Sequence, residues 1–266
     1  MASKTGLHYK IWQIAWPAIL SNISVPLLGI VDTAILGHLE STRYLGAVAI
    51  GASILSFLYW GFGFLRMGTT GLVARASGAG DRRRELEVLL QSAVLATGLA
   101  AGVVITLPAW MGLGMTLMAP GPELVPLARE YISIRVFSAP AVLLTYAALG
   151  WFIGRQDTRW PLLILLFTNG LNILLDILFI VVLDWKSAGA ARATLCAEYA
   201  GCILALLVLR RRVDWQPLAA VLSGLRRLGA YRELLESNRY LFIRTVCLLF
   251  AFAFFTAMST RQGEAV

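Results

Sequence analysis

Asn169, Asn172 and Asp176 interrupt the run from Pro161 to Leu183, PLLILLFTNGLNILLDILFIVVL, which is otherwise apolar and long enough to cross a bilayer. On a helix of 3.6 residues per turn, positions spaced by three and four stack on one side, so the three share a face that cannot meet lipid. A carboxylate at mid-bilayer costs about 2.5–3.5 kcal/mol on the lenient insertion scale, so an intramembrane Asp implies a function and a partner. The second such carboxylate is Asp32, on a face with Ser21, Val25 and Leu28, and six residues after Pro26. A third candidate is Glu198, four residues beyond Thr194 in SAGAARATLCAEYAG. Glu198 reads equally as a functional carboxylate and as the ion-pair partner of Arg192 or another nearby arginine.

Composition sets the elements that must position these groups. The 266 residues are 58% hydrophobic and 14% charged, with mean hydropathy +0.73, far from soluble usage. The expected fold class is therefore an all-α polytopic membrane protein. Seven spans of adequate length appear, near 11–36, 44–70, 86–111, 127–153, 161–183, 188–209 and 240–259. Pro17 and Pro26 remove backbone donors from the first span and predict a bend packed against protein. Gly98 and Gly102 form a small-x-x-x-small pair in the third, which predicts close helix packing. In the fourth, Glu123, Arg129, Glu130 and Arg135 predict a first half bordering water or a cavity. The small residues opening the sixth allow very close approach to a neighbour.

The net charge of +8 would suggest nucleic acid in a soluble domain, but Lys and Arg fall mainly between apolar runs and read as a topology signal. They concentrate at the N-terminus, near 75–84, near 155–159 and in 210–239, which places the N-terminus in the cytoplasm. Asp32, Asp176 and Thr194 then lie at one depth, roughly 8–10 Å below the outer surface at 1.5 Å per residue. Two carboxylates, an amide and a hydroxyl in a dry bundle suit hard-oxygen ligation of a cation such as Na+, or a proton site. The plain alternative is a hydrogen-bonded cluster that only joins helices. Cys196, Cys202 and Cys247 lack metal or disulfide spacing, and His8 and His38 belong to no H-E-x-x-H pattern, so neither a resident metal nor an enzyme is expected.

The segments WPAILSNISVPLLGIVDTAILGHL, FLRMGTTGLVARA, NILLDI and GAARATLCAEY, in that order, resemble the multidrug and toxic compound extrusion transporters, in their DNA-damage-inducible branch. The resemblance implies a six-helix N-terminal lobe over 1–212, a basic cytoplasmic inter-lobe linker over 213–238, and at 239–266 the first helix of an incomplete second lobe, packed loosely. It implies a monomeric antiporter of the bacterial inner membrane, without cofactor, that exports organic cations or amphipaths and is driven by Na+ or H+. By motif, the coupling site comprises Asp32, Asn172, Asp176 and Thr194, joined by the backbone carbonyl of Ala190, with Asn169 and Glu198 as cavity-lining candidates. The chain ends where an eighth span is expected, so the 266 residues read as a fragment or short product that does not transport alone. A lipid-linked-precursor flippase of the same superfamily and a non-transporting half-protein are the alternatives.

Overall fold

The computed structural model describes residues 29–39, 41–225 and 228–262, together with 12, 15–17, 19, 20 and 23. Among the described residues the chain is all helical. Helix α1 is described over 29–37, and the expected bend at Pro26 lies outside the described residues. There follow α2 (Thr42–Gly61), α3 (Gly63–Gly78), α4 (Arg82–Ile105), α5 (Leu107–Met118), α6 (Val125–Arg135), α7 (Ala139–Gly154), α8 (Arg159–Asp176), α9 (Lys186–Arg212), α10 (Leu218–Leu225) and α11 (Arg232–Gln262). Among the described residues, five stretches are long and apolar enough to cross a membrane: Thr42–Gly78, Arg82–Ile105, Val125–Gly154, Arg159–Val182 and Lys186–Arg212. They match the second to sixth expected spans.

The span ends follow local chemistry. The Asp81 side chain caps α4, accepting from the Arg84 backbone N–H at 2.9 Å, so that helix starts four residues before the expected span. It stops at Ile105 rather than near 111, because Pro108 cannot donate to the carbonyl four residues back and opens the separate helix α5. Pro140 has the same effect inside the fourth span. A 3-10 turn, Val136–Ser138, separates α6 from α7 there, and two carbonyls at the turn accept from hydroxyls. Ser138 Oγ donates to the Arg135 carbonyl at 2.7 Å, and Tyr199 OH donates to the Phe137 carbonyl at 2.9 Å.

Large apolar side chains such as Ile105, Leu117, Leu174 and Val182 are exposed, as a lipid-facing surface requires, while two buried clusters fill the interior. One centres on Leu55, Leu65, Ile132 and Leu143, and the other on Leu86, Phe152, Ile164 and Leu209. Small residues set the closest approaches, but not where the third span predicted them. A Cβ at Gly98 or Gly102 would meet nothing within 4 Å among the described residues, so the close packing expected there is not found among them. The tight pair is Gly150 and Gly154 on α7. A Cβ at Gly150 would lie 2.8 Å from the Arg66 carbonyl, and one at Gly154 would lie 2.8 Å from that of Thr70. Backbone cannot yield as a side chain does, so Gly150→Ala should cost about 1–3 kcal/mol by overpacking. Gly98→Ala should be neutral or mildly stabilising, because alanine is the better helix former. Thermal unfolding of the two purified variants checks this, and equal melting points would refute the packing assignment.

Helix α11 departs most from expectation. It begins at Arg232, well before residue 240, and its first half is not loosely packed. Leu234 is fully buried, the Phe242 ring meets Phe64 edge-on at 5.6 Å, and Asn238 presses on Gly68 of α3. Glu233 pairs with Arg84. Glycine at position 68 leaves the space Asn238 occupies, since a Cβ there would overlap its side-chain oxygen.

Candidate functional site

The interior face of α8 carries Asn172 and Asp176, one turn apart and only 1% and 2% exposed. Helix α9 lies close because its first turns are nearly all small: Ser187, Ala188, Gly189, Ala190, Ala191 and Ala193 are buried. That proximity lets Asn172 Nδ2 donate to Thr194 Oγ1 at 3.3 Å, while Thr194 Oγ1 donates to the Ala190 carbonyl at 3.0 Å. Asp32, half-buried on α1, lies within interaction range of Asp176, and both lie within electrostatic reach of Arg135. The structure thus brings together Asp32, Asn172, Asp176, Ala190 and Thr194.

Their hydrogen bonding is incomplete in one sense only. Asp32 Oδ1, Asn172 Oδ1 and both carboxylate oxygens of Asp176 are buried and have no hydrogen-bond partner among the described residues. All four atoms are oxygen acceptors when the acids are ionised, and a buried acceptor without a donor carries a desolvation cost of about 1–3 kcal/mol, more for a charged group. Such a set fits a hard cation or added protons, either of which supplies what the oxygens lack. Asn169, one turn nearer the start of α8, is half-buried and its Nδ2 also lacks a partner among the described residues.

Immediately after Asp176 the α8 ladder widens into a π-helix, Ile177–Val182. The Leu183 N–H then bonds the Leu178 carbonyl, and the Trp185 N–H bonds that of Phe179. A π segment beside a buried carboxylate is a common feature of functional sites, and no periodicity in ILFIVV announces it.

Glu198 is neither an isolated carboxylate nor the partner of Arg192, whose guanidinium instead stacks over Trp185 at 4.8 Å. It pairs with Arg135, whose Nη1 donates to Glu198 Oε2 at 2.5 Å and to Ser138 Oγ at 2.8 Å. Arg135 is 8% exposed, so the expectation of a watery first half holds for Arg129 and Glu130 but fails at Arg135. Being one of the most costly residues to place in a membrane interior, Arg135 within ISIRVFSAP was a signal for a buried acidic partner. Counting the cluster, three carboxylates (Asp32, Asp176, Glu198) face one guanidinium, which leaves it short of positive charge. No group of three or more His, Cys, Asp or Glu side chains converges to hold a metal among the described residues, so any ion here is held by mixed carboxylate, amide, hydroxyl and carbonyl oxygens.

Comparison with known proteins agrees with this architecture. The DNA damage-inducible protein F of Escherichia coli is 38% identical over 266 residues, covering all of this chain and 58% of that protein. Protein DETOXIFICATION 44 of Arabidopsis thaliana is 33% identical over 96% of this chain and 50% of its own length. A probable multidrug resistance protein, NorM of Thermotoga maritima, is 28% identical over 79% of this chain and 46% of its own. The chain therefore spans about half the length of the curated relatives it matches. Among solved structures, a MOP superfamily transporter from Pyrococcus furiosus superposes with a TM-score of 0.80 at 24% identity, over 92% of this chain and 54% of that one. An outward-facing MATE family transporter superposes at 0.70, over 86% and 52%. Residues 17–178 match the MatE family, and the chain belongs to it, a family of transporters rather than enzymes.

Proposed function

We propose that this chain is the coupling-ion lobe of an antiporter that exports organic cations or amphipaths from the cytoplasm across a bacterial inner membrane, driven by Na+ or H+. The observation that carries this reading is the set of four buried acceptor oxygens on Asp32, Asn172 and Asp176 that have no donor among the described residues. A cluster that merely joined helices would be stable only with its acceptors satisfied. Here the deficit is of positive charge, and a coupling cation or proton fills it. The transported substrate would need the surface of a complete two-lobe transporter, which the relatives' length implies.

The residues divide the work. Asp32 and Asp176 provide charge from two separate helices, so their occupancy can change how α1 packs against α8. Asn172 supplies a neutral oxygen and holds Thr194, and Thr194 ties α9 to the pair. Glu198 keeps Arg135 engaged, so that the guanidinium does not neutralise the acid pair and abolish its need for a cation. Coupling then requires different ion affinity in the inward- and outward-facing states, because a ligand bound equally by both shifts nothing. Alternating the exposure of a site built on α1, α8 and α9 meets that requirement. The concentration of arginine in the loops 75–84 and 155–159 and in the segment 210–239 supports an orientation with the N-terminus in the cytoplasm.

Proteoliposomes of the complete transporter test the reading. Substrate movement should follow an imposed Na+ gradient or an imposed pH gradient, and whichever drives it identifies the ion. Equal transport with neither gradient, but with ATP, would remove the coupling role from these carboxylates.

A further inference from the structure

At the basic end of the bundle, away from the acid pair, the first turn of α4 and the ends of α7 and α9 enclose a cavity of about 130 Å³. It is lined by Arg82, Glu85, Trp151, Arg155, Arg212 and Asp214. The volume is several times the roughly 30 Å³ that one liquid water occupies. Three guanidinium groups face two carboxylates, so one positive charge is uncompensated. Arg82 reaches Asp214 at 3.3 Å and Arg155 reaches Glu85 at 3.6 Å, contacts that leave several donors of each fork unused. Arg212 stacks on Trp160 at 5.6 Å and pairs with no carboxylate among the described residues. Asp214 lies outside the spans, and its carboxyl is held below the usual range, first by the Gln216 backbone N–H and then by Arg82. It stays ionised at neutral pH and competes for Arg82 alone.

A second observation is independent of the surface arginines. Trp151 is 2% exposed, lines the cavity and carries an indole N–H without a hydrogen-bond partner among the described residues. A buried indole N–H normally finds an acceptor. Arg155 stacks on the same ring at 4.9 Å, so an acceptor placed at the indole edge would also sit beside a guanidinium. The wall therefore has spare donors from three arginines and one tryptophan, and each of its two carboxylates already faces an arginine. Guanidinium forks match the oxygens of a tetrahedral phosphate, and basic pockets between membrane helices take anionic headgroups.

We propose that this cavity binds a phosphate group, carried by an anionic phospholipid headgroup or present as free phosphate. The site is independent of ion coupling, so its test reads binding and not transport. The purified full chain in phosphatidylcholine nanodiscs is titrated with inorganic phosphate at constant ionic strength, with melting temperature as readout. In parallel, nanodiscs containing phosphatidylglycerol are analysed by native mass spectrometry for retained lipid. Binding of phosphatidylglycerol alone identifies a headgroup site, and stabilisation by inorganic phosphate identifies a free-anion site. In either case Arg212→Gln, at an exposed side chain, and Trp151→Phe, which keeps a ring, should each weaken binding about tenfold, the loss of one charge-assisted or buried hydrogen bond. Arg211→Gln, outside the cavity, should leave it unchanged. Absence of binding in both arms, or equal weakening by Arg211→Gln and Arg212→Gln, would overturn the proposal.

Discussion

Asp176→Asn in the complete transporter should reduce efflux to background while expression and helix content stay close to normal. Asparagine matches the carboxylate in size, and its amide can still donate to the Asp32 carboxyl that lies beside Asp176. Packing at this 2% exposed position is therefore preserved, and what is lost is the charge that attracts an ion. Asp32→Asn should do the same, because one remaining carboxylate cannot supply both charge and alternate packing between α1 and α8. Thr194→Ala should be milder. It removes one neutral oxygen and its bond to Asn172, worth about 0.5–1.5 kcal/mol, or up to about tenfold in ion affinity. Growth in a toxic cation with parallel dye-efflux rates measures all three, and unchanged resistance in both Asp variants would make the cluster structural only.

The second large effect lies at Arg135 and Glu198. Their side chains are only 10% and 19% exposed, so removal of one partner strands a charge in the bundle. Arg135→Ala should destabilise by about 3–5 kcal/mol, the usual result of breaking a buried pair. Replacing both, Arg135→Ala with Glu198→Gln, removes both charges and should recover much of that loss, since no carboxylate is then left stranded and the buried ion pair itself contributes little net. Glu198→Gln alone has a different consequence. It frees a guanidinium near Asp32 and Asp176, so coupling-ion affinity should fall even where the protein stays folded. Melting temperatures of the two single variants and the double variant form the cycle that decides this. A double variant no more stable than Arg135→Ala would show that the pair is not the source of the effect.

The amino-acid sequence made the acid cluster legible because intramembrane charge is so costly that Asp32 and Asp176 stand out from their apolar surroundings. Helical spacing put Asn172 beside Asp176, and shared depth brought in Thr194. Arg135 was legible too, but it sits near the polar start of its span and reads as part of a solvated face. Only its packing against α9, where it meets Glu198, removes it from water. Gly150 and Gly154 share the spacing of Gly98 and Gly102, and sequence spacing alone does not say which pair faces α3 and which faces open space. The π-helix after Asp176 and the packing of α11 on Gly68 depend on neighbours distant in the chain, which local pattern does not encode.

Exchange of substrate for ion tests the central claim most directly. Purified complete transporter is equilibrated with 22Na+ or in weakly buffered medium, and a cationic substrate is added. If Asp32 and Asp176 hold the coupling ion, wild type should release Na+ or protons in proportion to substrate bound, and the Asp32→Asn, Asp176→Asn double variant should release neither. Equal release from the double variant, or binding of substrate by wild type with no release of either ion, would contradict the account.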